Sequence, residues 1–282
     1  MSTFSSGFGR LVPAAGPDPL YGLLADRAES EAARRRRNPP LPPGPTAPVL
    51  VLGAGRMGTW VSNILAPMGV SLVVLDRDVV EPHNLEAGSA PFGLADVGLP
   101  KALAVANSLK QFAPRAHVQA YQGDIVLMPV PELFALSQGV GVVLGLVDAG
   151  EALLRINEVF YRHLPIVYAA GHHGARTGDI LIGRPGGACF RCLLGIDTAD
   201  SVQTLSGETT HGIDILKLSE YCARVTLALL RDQRLGQISE VLDEGVNFIF
   251  LQNRVSPGNL GNFAPQFLRI DRRWDCPVCG AR

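Results

Sequence analysis

The sequence lacks the features that would direct it into a membrane, a secretory route or a nucleic-acid complex. No run of about eighteen apolar residues occurs, so we expect no membrane span. The N-terminus has no basic stretch followed by an apolar segment, so we expect no secretory leader. The net charge of −1 offers no general attraction for nucleic acid. We therefore expect a cytoplasmic protein with neither a membrane nor a nucleic-acid partner.

Cysteine is also scarce, with five residues in 282. Four of them form two C-x-x-C pairs, Cys189 with Cys192 and Cys276 with Cys279, and Cys222 stands alone. In a reducing compartment such pairs are more often zinc knuckles than disulfides, although a redox pair or chance would also produce them. Four thiolates form a closed tetrahedral site, so we predict a structural Zn²⁺ that takes no part in chemistry.

The chain divides by composition near residue 48. Residues 1–48 predict an N-terminal extension with a short helix and a Pro-rich linker, and Arg34–Arg37 is interpreted as a solvated helix end. Residues 49–282 alternate between strand and helix patterns, with several continuously apolar strands. This pattern predicts an α/β fold, a Rossmann-like doubly wound and mostly parallel sheet. We expect two late antiparallel strands within 240–272, before the C-terminal zinc knuckle.

The predicted elements can be placed along this second region. We expect strands at 49–53, 71–76, 117–121, 141–147, 165–170 and 178–182. We expect helices at 56–68, 100–112, 130–137, 150–163 and 215–232.

A glycine-rich loop follows the first predicted strand, in V-L-V-L-G-A-G-R-M-G. Gly53, Gly55 and Gly58 allow the backbone to approach a phosphate at the N-terminus of the next helix. Asp76 closes the second strand, where an acid binds ribose hydroxyls in nucleotide-binding folds. These residues predict a nucleotide site of unspecified kind.

The segments that follow resemble a known superfamily. Asp76, Asp78 and Asn84 lie in the motif D-x-D-x-V-E-x-x-N-L. Lys101 ends the motif G-x-x-K, and Asp148 ends the segment V-L-G-L-V-D. With the two C-x-x-C pairs, this ordered set resembles the ubiquitin-activating-enzyme superfamily of ThiF/MoeB-type adenylyltransferases over roughly 49–280.

The resemblance implies an ATP- and Mg²⁺-dependent enzyme that adenylates the C-terminal carboxylate of a small ubiquitin-like or sulfur-carrier protein. It implies that Asp76 holds the ribose, that Lys101 reaches the phosphates and that Asn84 orients phosphate or ribose. It also implies that Asp78 belongs to the nucleotide site and that Asp148 binds the metal. It gives Lys101 and Asp148 the catalytic roles, assigns Zn²⁺ to the four cysteines, and implies a homodimer.

Several positions depart from the superfamily pattern. Ala87 replaces an arginine that contacts the phosphates, and Arg56 or an arginine from the N-terminal helix of a partner subunit are candidates to replace it. Gly145, Ala149 and Leu153 also replace polar residues, whereas Asn157 is kept.

The chain has no obvious catalytic cysteine. The crossover at 196–215 contains none, and the helical spacing around Cys222 predicts a packed, inert thiol. A metal or acid/base role stays open for His172 and His173, and the preferred interpretation is a loop pair that packs or meets solvent. A member of this kind would stop at the acyl-adenylate and transfer it to a second protein.

Two other functions remain open at this stage. The eroded phosphate contacts suit a non-catalytic member that binds a peptide or protein and recruits it to a partner enzyme. An NAD(P)-dependent oxidoreductase would explain the glycine loop and Asp76, but not the remaining motifs.

Overall fold

The structure is a computed structural model that describes residues 47–86, 90–113, 116–172, 176–195, 212–230, 236–252 and 265–280. The chain divides into two units, Met1–Pro42 and Pro43–Arg282, and every described residue belongs to the second. The predicted N-terminal helix and nearly all of the Pro-rich linker lie outside the described residues. The division at residue 48 stays a prediction.

Within the described residues, eight strands form one sheet in the order β3-β2-β1-β4-β5-β6-β7-β8. The strands are β1 Val49–Leu52, β2 Leu72–Asp76, β3 Val118–Gln122, β4 Val142–Gly145, β5 Ile166–His172, β6 Thr177–Gly183, β7 Phe248–Gln252 and β8 Gln266–Leu268. The first five pair in parallel, and β5 to β8 pair antiparallel. This arrangement confirms the predicted α/β fold, with a mostly parallel, Rossmann-like sheet and late antiparallel strands.

The helices cover both faces of the sheet. They are α1 Arg56–Leu65, α2 Lys101–Phe112, α3 Val130–Leu136, α4 Gly150–Phe160, α5 Phe190–Leu194, α6 Gly212–Leu229 and α7 Gly236–Asp243. One core packs α1, α2 and α6 against the sheet, and a second packs α3, α4 and α5 against the other face. Because both faces are covered, every residue of β1 and β4 is buried.

The helices differ from the predictions at a proline, which ends α1 early, and in two short helices. The helix expected at 56–68 ends at Leu65 and continues as a 3-10 turn, Ala66–Met68, because Pro67 has no N–H to continue the α-helical ladder. The sequence did not predict the short helices α5 and α7. Among the described helices, none is both long and apolar enough to cross a bilayer.

Candidate functional site

The glycine loop between β1 and α1 is shaped by close backbone contacts. Gly53 has φ +102°, and a Cβ there would lie 2.5 Å from the Leu146 carbonyl oxygen. A Cβ on Gly58 would lie 1.8 Å from the Gly53 carbonyl oxygen, so only glycine allows α1 to begin so close to the loop. A Cβ on Gly55 would meet nothing within 4 Å. Gly55 therefore leaves an open space, whereas Gly53 and Gly58 allow the chain to pack.

Asp76 connects this loop to the end of β2. Its carboxylate accepts the Ala54 N–H at 2.5 Å and the Asp78 N–H at 2.7 Å. Burial raises the pKa of Asp76, and the two backbone donors partly offset that shift. Each carboxylate oxygen retains a second lone pair, so Asp76 can also accept a ligand hydroxyl.

Lys101 is positioned by Asp78. The Lys101 N–H donates to the Asp78 carbonyl at 2.9 Å, and its Nζ lies 3.1 Å from Asp78 Oδ2. The Lys101 side chain is only 12% exposed, so the ammonium is fixed at the start of α2. The Asp78 carboxylate thus contacts two cations, because its Oδ1 also lies 3.6 Å from Arg77 Nε.

Asn84 caps the 3-10 turn Pro82–Leu85. Its Oδ1 accepts the Glu81 N–H at 2.9 Å, which leaves the two N–H donors of its amide for another partner. The cap fixes the side chain at the edge of the site.

Asp148 follows β4 and is exposed. Within the part of the chain that the structure describes, its carboxylate makes no hydrogen bond.

The superfamily positions Asn157 and Gly145 serve packing. Asn157 is fully buried, and its Oδ1 accepts the Phe190 N–H at 3.0 Å, which places it in the packing between α4 and α5. At Gly145, a Cβ would lie 2.8 Å from the Tyr168 ring, so the tyrosine fills the space that a side chain there would need.

These elements surround a cavity of about 560 Å³ at the carboxyl ends of the parallel strands. It brings together most of the predicted nucleotide residues: Gly53, Gly55, Asp76, Asp78, Asn84, Lys101 and Asp148. Gly58 is buried and lies outside the lining. Among the residues that the structure describes, the lining contains five carboxylates (Asp76, Asp78, Glu86, Asp124, Asp148) and three cations (Arg56, Arg77, Lys101). The cavity thus carries more negative than positive charge.

The cavity also contains an ion pair that sequence reasoning missed. Arg77 Nη1 lies 3.1 Å from Asp124 Oδ2, and both residues line the cavity. Asp124 follows β3, and its position at the carboxyl end of a parallel strand was the available signal.

His172 belongs to β5 and not to a loop. Its Nε2 lies 2.8 Å from Asp179 Oδ2 on β6, and the preceding Gly171 lines the cavity. His173 lies outside the described residues, as do Ala87, Arg34–Arg37 and most of the crossover at 196–215.

The four cysteines of the C-x-x-C pairs form one buried cluster. The Cys189 and Cys276 sulfurs lie 3.6 Å apart and those of Cys192 and Cys279 3.3 Å apart, and all four lie within 4.8 Å of one another. A tetrahedral zinc with bonds of about 2.3 Å holds its sulfurs about 3.8 Å apart, so the cluster fits this metal.

A cysteine binds a metal as its thiolate, and one thiol of the cluster has a lowered pKa that favours this form. Burial raises the pKa of Cys276, but hydrogen bonds from the Cys279 and Val278 N–H groups and from neighbouring thiols outweigh it and lower the pKa to about 7.

Cys222 lies within α6 and is fully buried. Burial raises the pKa of its thiol to about 12. The thiol is protonated at neutral pH, and the packed position agrees with the predicted lack of reactivity.

Comparison with known proteins identifies the family. A model of the ThiF family matches residues 46–254. The chain belongs to the ThiF family. It is 29% identical over 235 residues to the SAMP-activating enzyme E1 of Haloferax volcanii, covering 82% of this chain and 80% of that protein. A 98-residue stretch is 33% identical to tRNA threonylcarbamoyladenosine dehydratase 2 of Saccharomyces cerevisiae, covering 34% of this chain and 20% of that protein.

Solved structures share the ThiF-family fold of this chain. E. coli MccB with ATP superposes with a TM-score of 0.63 at 18% identity, covering 84% of this chain and 68% of that one. PaaA superposes with a TM-score of 0.57 at 16% identity, covering 81% and 65% of the two chains. At these identities the likeness concerns the fold alone.

Proposed function

We propose that this ThiF-family chain is an ATP- and Mg²⁺-dependent adenylyltransferase that activates the C-terminal carboxylate of a small ubiquitin-like or sulfur-carrier protein. The observation that best supports this proposal is the cavity at the ends of the parallel strands, which is lined by the glycine loop, Asp76, Lys101 and Asp148. The similarity to a protein named SAMP-activating enzyme E1 supports the same reaction class.

In this reaction a carboxylate oxygen of the carrier attacks the α-phosphorus of ATP and pyrophosphate leaves. Negative charge collects on the phosphate oxygens, and a preorganised cation lowers the barrier. Lys101, held by Asp78, supplies that cation. Asp76 accepts a ribose hydroxyl, and Gly55 leaves room for the phosphates above the N-terminus of α1.

Asp148 is the residue that would hold Mg²⁺. Its carboxylate has no hydrogen-bond partner among the described residues, and oxygen ligands are those that Mg²⁺ prefers. The excess of carboxylates over cations in the cavity disfavours a free triphosphate and supports a requirement for a divalent cation. When bound, the metal neutralises phosphate charge.

We propose that Arg56 takes over the phosphate contact of the arginine whose position Ala87 occupies in this chain. It is the first residue of α1, lines the cavity and forms no ion pair within the described part of the chain. A cation at the positive end of a helix is unfavourable by itself, and a bound anion removes this conflict. An arginine from the N-terminal helix of a partner subunit in a homodimer is the alternative source.

We further propose that the acyl-adenylate passes to an external acceptor and that the cysteine cluster holds a structural Zn²⁺. The chain has no cysteine beyond the cluster and the buried Cys222. No thioester on this chain is therefore expected.

ATP binding provides the first test. ATP·Mg²⁺ at 100 times its Kd should stabilise the fold by about 2.7 kcal/mol and raise Tm by roughly 4–6 °C for a chain of this length. Asp148→Ala should abolish the rise, whereas Asp271→Ala, at an exposed position outside the cavity, should retain it. A response to NAD(H) alone would favour the oxidoreductase and contradict the proposal.

ATP–pyrophosphate exchange tests the chemistry with small carrier proteins whose tails end in Gly-Gly. We expect exchange that depends on the carrier and that Asp148→Ala slows by about 100-fold.

The second candidate is the non-catalytic recruiter, which the losses at Gly145, Ala149 and Leu153 favour. It predicts carrier binding that persists in Asp148→Ala and Lys101→Ala, with no exchange in the wild type.

A further inference from the structure

The cavity continues beyond Asp76 into a part that the proposed roles do not use. This part is lined by Arg77 after β2, by Asp124 and Ile125 after β3, and by Leu75. The sheet order places β3 outside β2, on the side away from β1 and the glycine loop. Phosphates lie at the N-terminus of the first helix in such folds and the ribose at the acid ending β2. A nucleotide bound in this direction extends its base over the end of β3.

The guanidinium of Arg77 is held in place at this position. Its Nη1 donates to Asp124 Oδ2 at 3.1 Å, and its Nε lies 3.6 Å from Asp78 Oδ1. Asp124 is fixed in turn, because its Oδ1 accepts the Val126 N–H at 2.9 Å. A guanidinium held at its edges keeps its flat faces available, and the Arg77 side chain is 57% exposed.

One wall of this part of the cavity is apolar. Leu75 is 2% exposed and Ile125 is 6% exposed, and Gly123, which follows β3, adds no side chain. Apolar side chains and a flat cation together suit a planar aromatic ring, because a guanidinium stacks on the π-face of a base.

We propose that Arg77 stacks on the base of the bound nucleotide and positions it over the end of β3. This inference rests on the proposed function, because it takes Asp76 as the ribose ligand. The base then has a wall of Leu75 and Ile125 and a flat cation above it. A phosphate contact by Arg77 is the competing interpretation, and it predicts a different dependence on the ligand and on the side chain.

The test measures Kd by calorimetry for two probes, ATP and inorganic tripolyphosphate, which has no base. Both titrations contain about 5 mM Mg²⁺, an excess over the nucleotide. Arg77→Ala should weaken ATP about tenfold, equivalent to about 1.4 kcal/mol, and leave tripolyphosphate unchanged. Arg77→Lys keeps the charge but loses the plane, so it should weaken ATP nearly as much. Arg224→Ala removes an exposed arginine that pairs with Glu220 away from the cavity, and it should bind ATP like the wild type.

The outcomes separate this inference from the proposed function. Equal losses for ATP and tripolyphosphate in Arg77→Ala, or wild-type ATP affinity in Arg77→Lys or Arg77→Ala, would overturn the stacking role while leaving ATP binding intact. A folded wild-type protein that does not bind ATP would overturn the proposed function, and the inference with it.

Discussion

At the scale of single residues, the glycines of the loop have two different physical roles. Gly58 is required by packing, because a Cβ would lie 1.8 Å from the Gly53 carbonyl oxygen. Gly55 has an ordinary φ of −71° and no neighbour within 4 Å of a Cβ. Gly58 therefore serves the fold, whereas Gly55 leaves space that we assign to the ligand.

Alanine substitutions should separate these roles. Gly58→Ala should lower the free energy of unfolding by about 1–3 kcal/mol, because two backbone segments must move apart. Gly55→Ala should fold with a stability within about 1 kcal/mol of the wild type, and it should weaken ATP binding about tenfold or more because its methyl group enters the cavity. Urea unfolding and calorimetry measure the two effects. Wild-type stability in Gly58→Ala or wild-type ATP affinity in Gly55→Ala would contradict them.

At the scale of elements, α6 supports the sheet through close packing at β6. A Cβ on Gly178 would lie 2.2 Å from a Leu218 methyl group, so the glycine makes room for the helix. One turn further along α6, Cys222 is fully buried in the same core. The thiol is therefore part of the contact between α6 and the rest of the molecule.

This burial makes the stability of the protein depend on pH in a definite direction. The Cys222 thiol has a pKa of about 12 in the fold, against about 8.5 in an unfolded chain. Between these values the unfolded chain loses a proton that the folded chain keeps, so stability is retained below about pH 8.5 and falls as the pH rises.

The comparison with Cys222→Ala isolates this effect, because all other groups titrate in both proteins. From pH 7.5 to 10.5 the wild type should lose up to about 2–3 kcal/mol of unfolding free energy relative to the variant. Urea unfolding across this range provides the measurement. A stability difference that is independent of pH would show that the thiol is not desolvated.

At the scale of the whole molecule, the cysteine cluster joins two distant parts of the chain. Cys189 and Cys192 lie at α5, directly after β6, whereas Cys276 and Cys279 lie near the C-terminus. None of the four lines the cavity. A metal at this cluster would therefore stabilise the fold without contacting the nucleotide.

Zinc content and stability should change together in a cluster variant. The purified protein should contain one equivalent of zinc, and Cys276→Ser should lose it. Losing a structural metal should lower the free energy of unfolding by several kcal/mol, because the metal-binding free energy contributes to folding. ATP affinity in the folded variant should remain within about threefold of the wild type. Metal analysis, urea unfolding and calorimetry test this, with Cys222→Ala as the cysteine variant that keeps its zinc. Unchanged zinc content in Cys276→Ser would contradict the assignment.

The sequence by itself determined the class of fold and most of the candidate nucleotide residues. Continuous apolar runs such as 49–52 and 72–75 predict parallel strands because such strands are buried on both faces. The glycine loop and Asp76 were found because phosphate and ribose contacts follow the strand order within one βαβ unit. Residues that are close in the chain or repeat with a regular period leave a signal that a single sequence carries.

Only the tertiary structure decided how the individual side chains act. It paired Lys101 with Asp78 and Arg77 with Asp124, which are 23 and 47 residues apart. It also filled the space at Gly145 with the Tyr168 ring, and it placed Gly58 in the packing and not in the cavity. These facts depend on contacts between distant parts of the chain. Such contacts are set by how strands and helices pack together, and no local pattern specifies them.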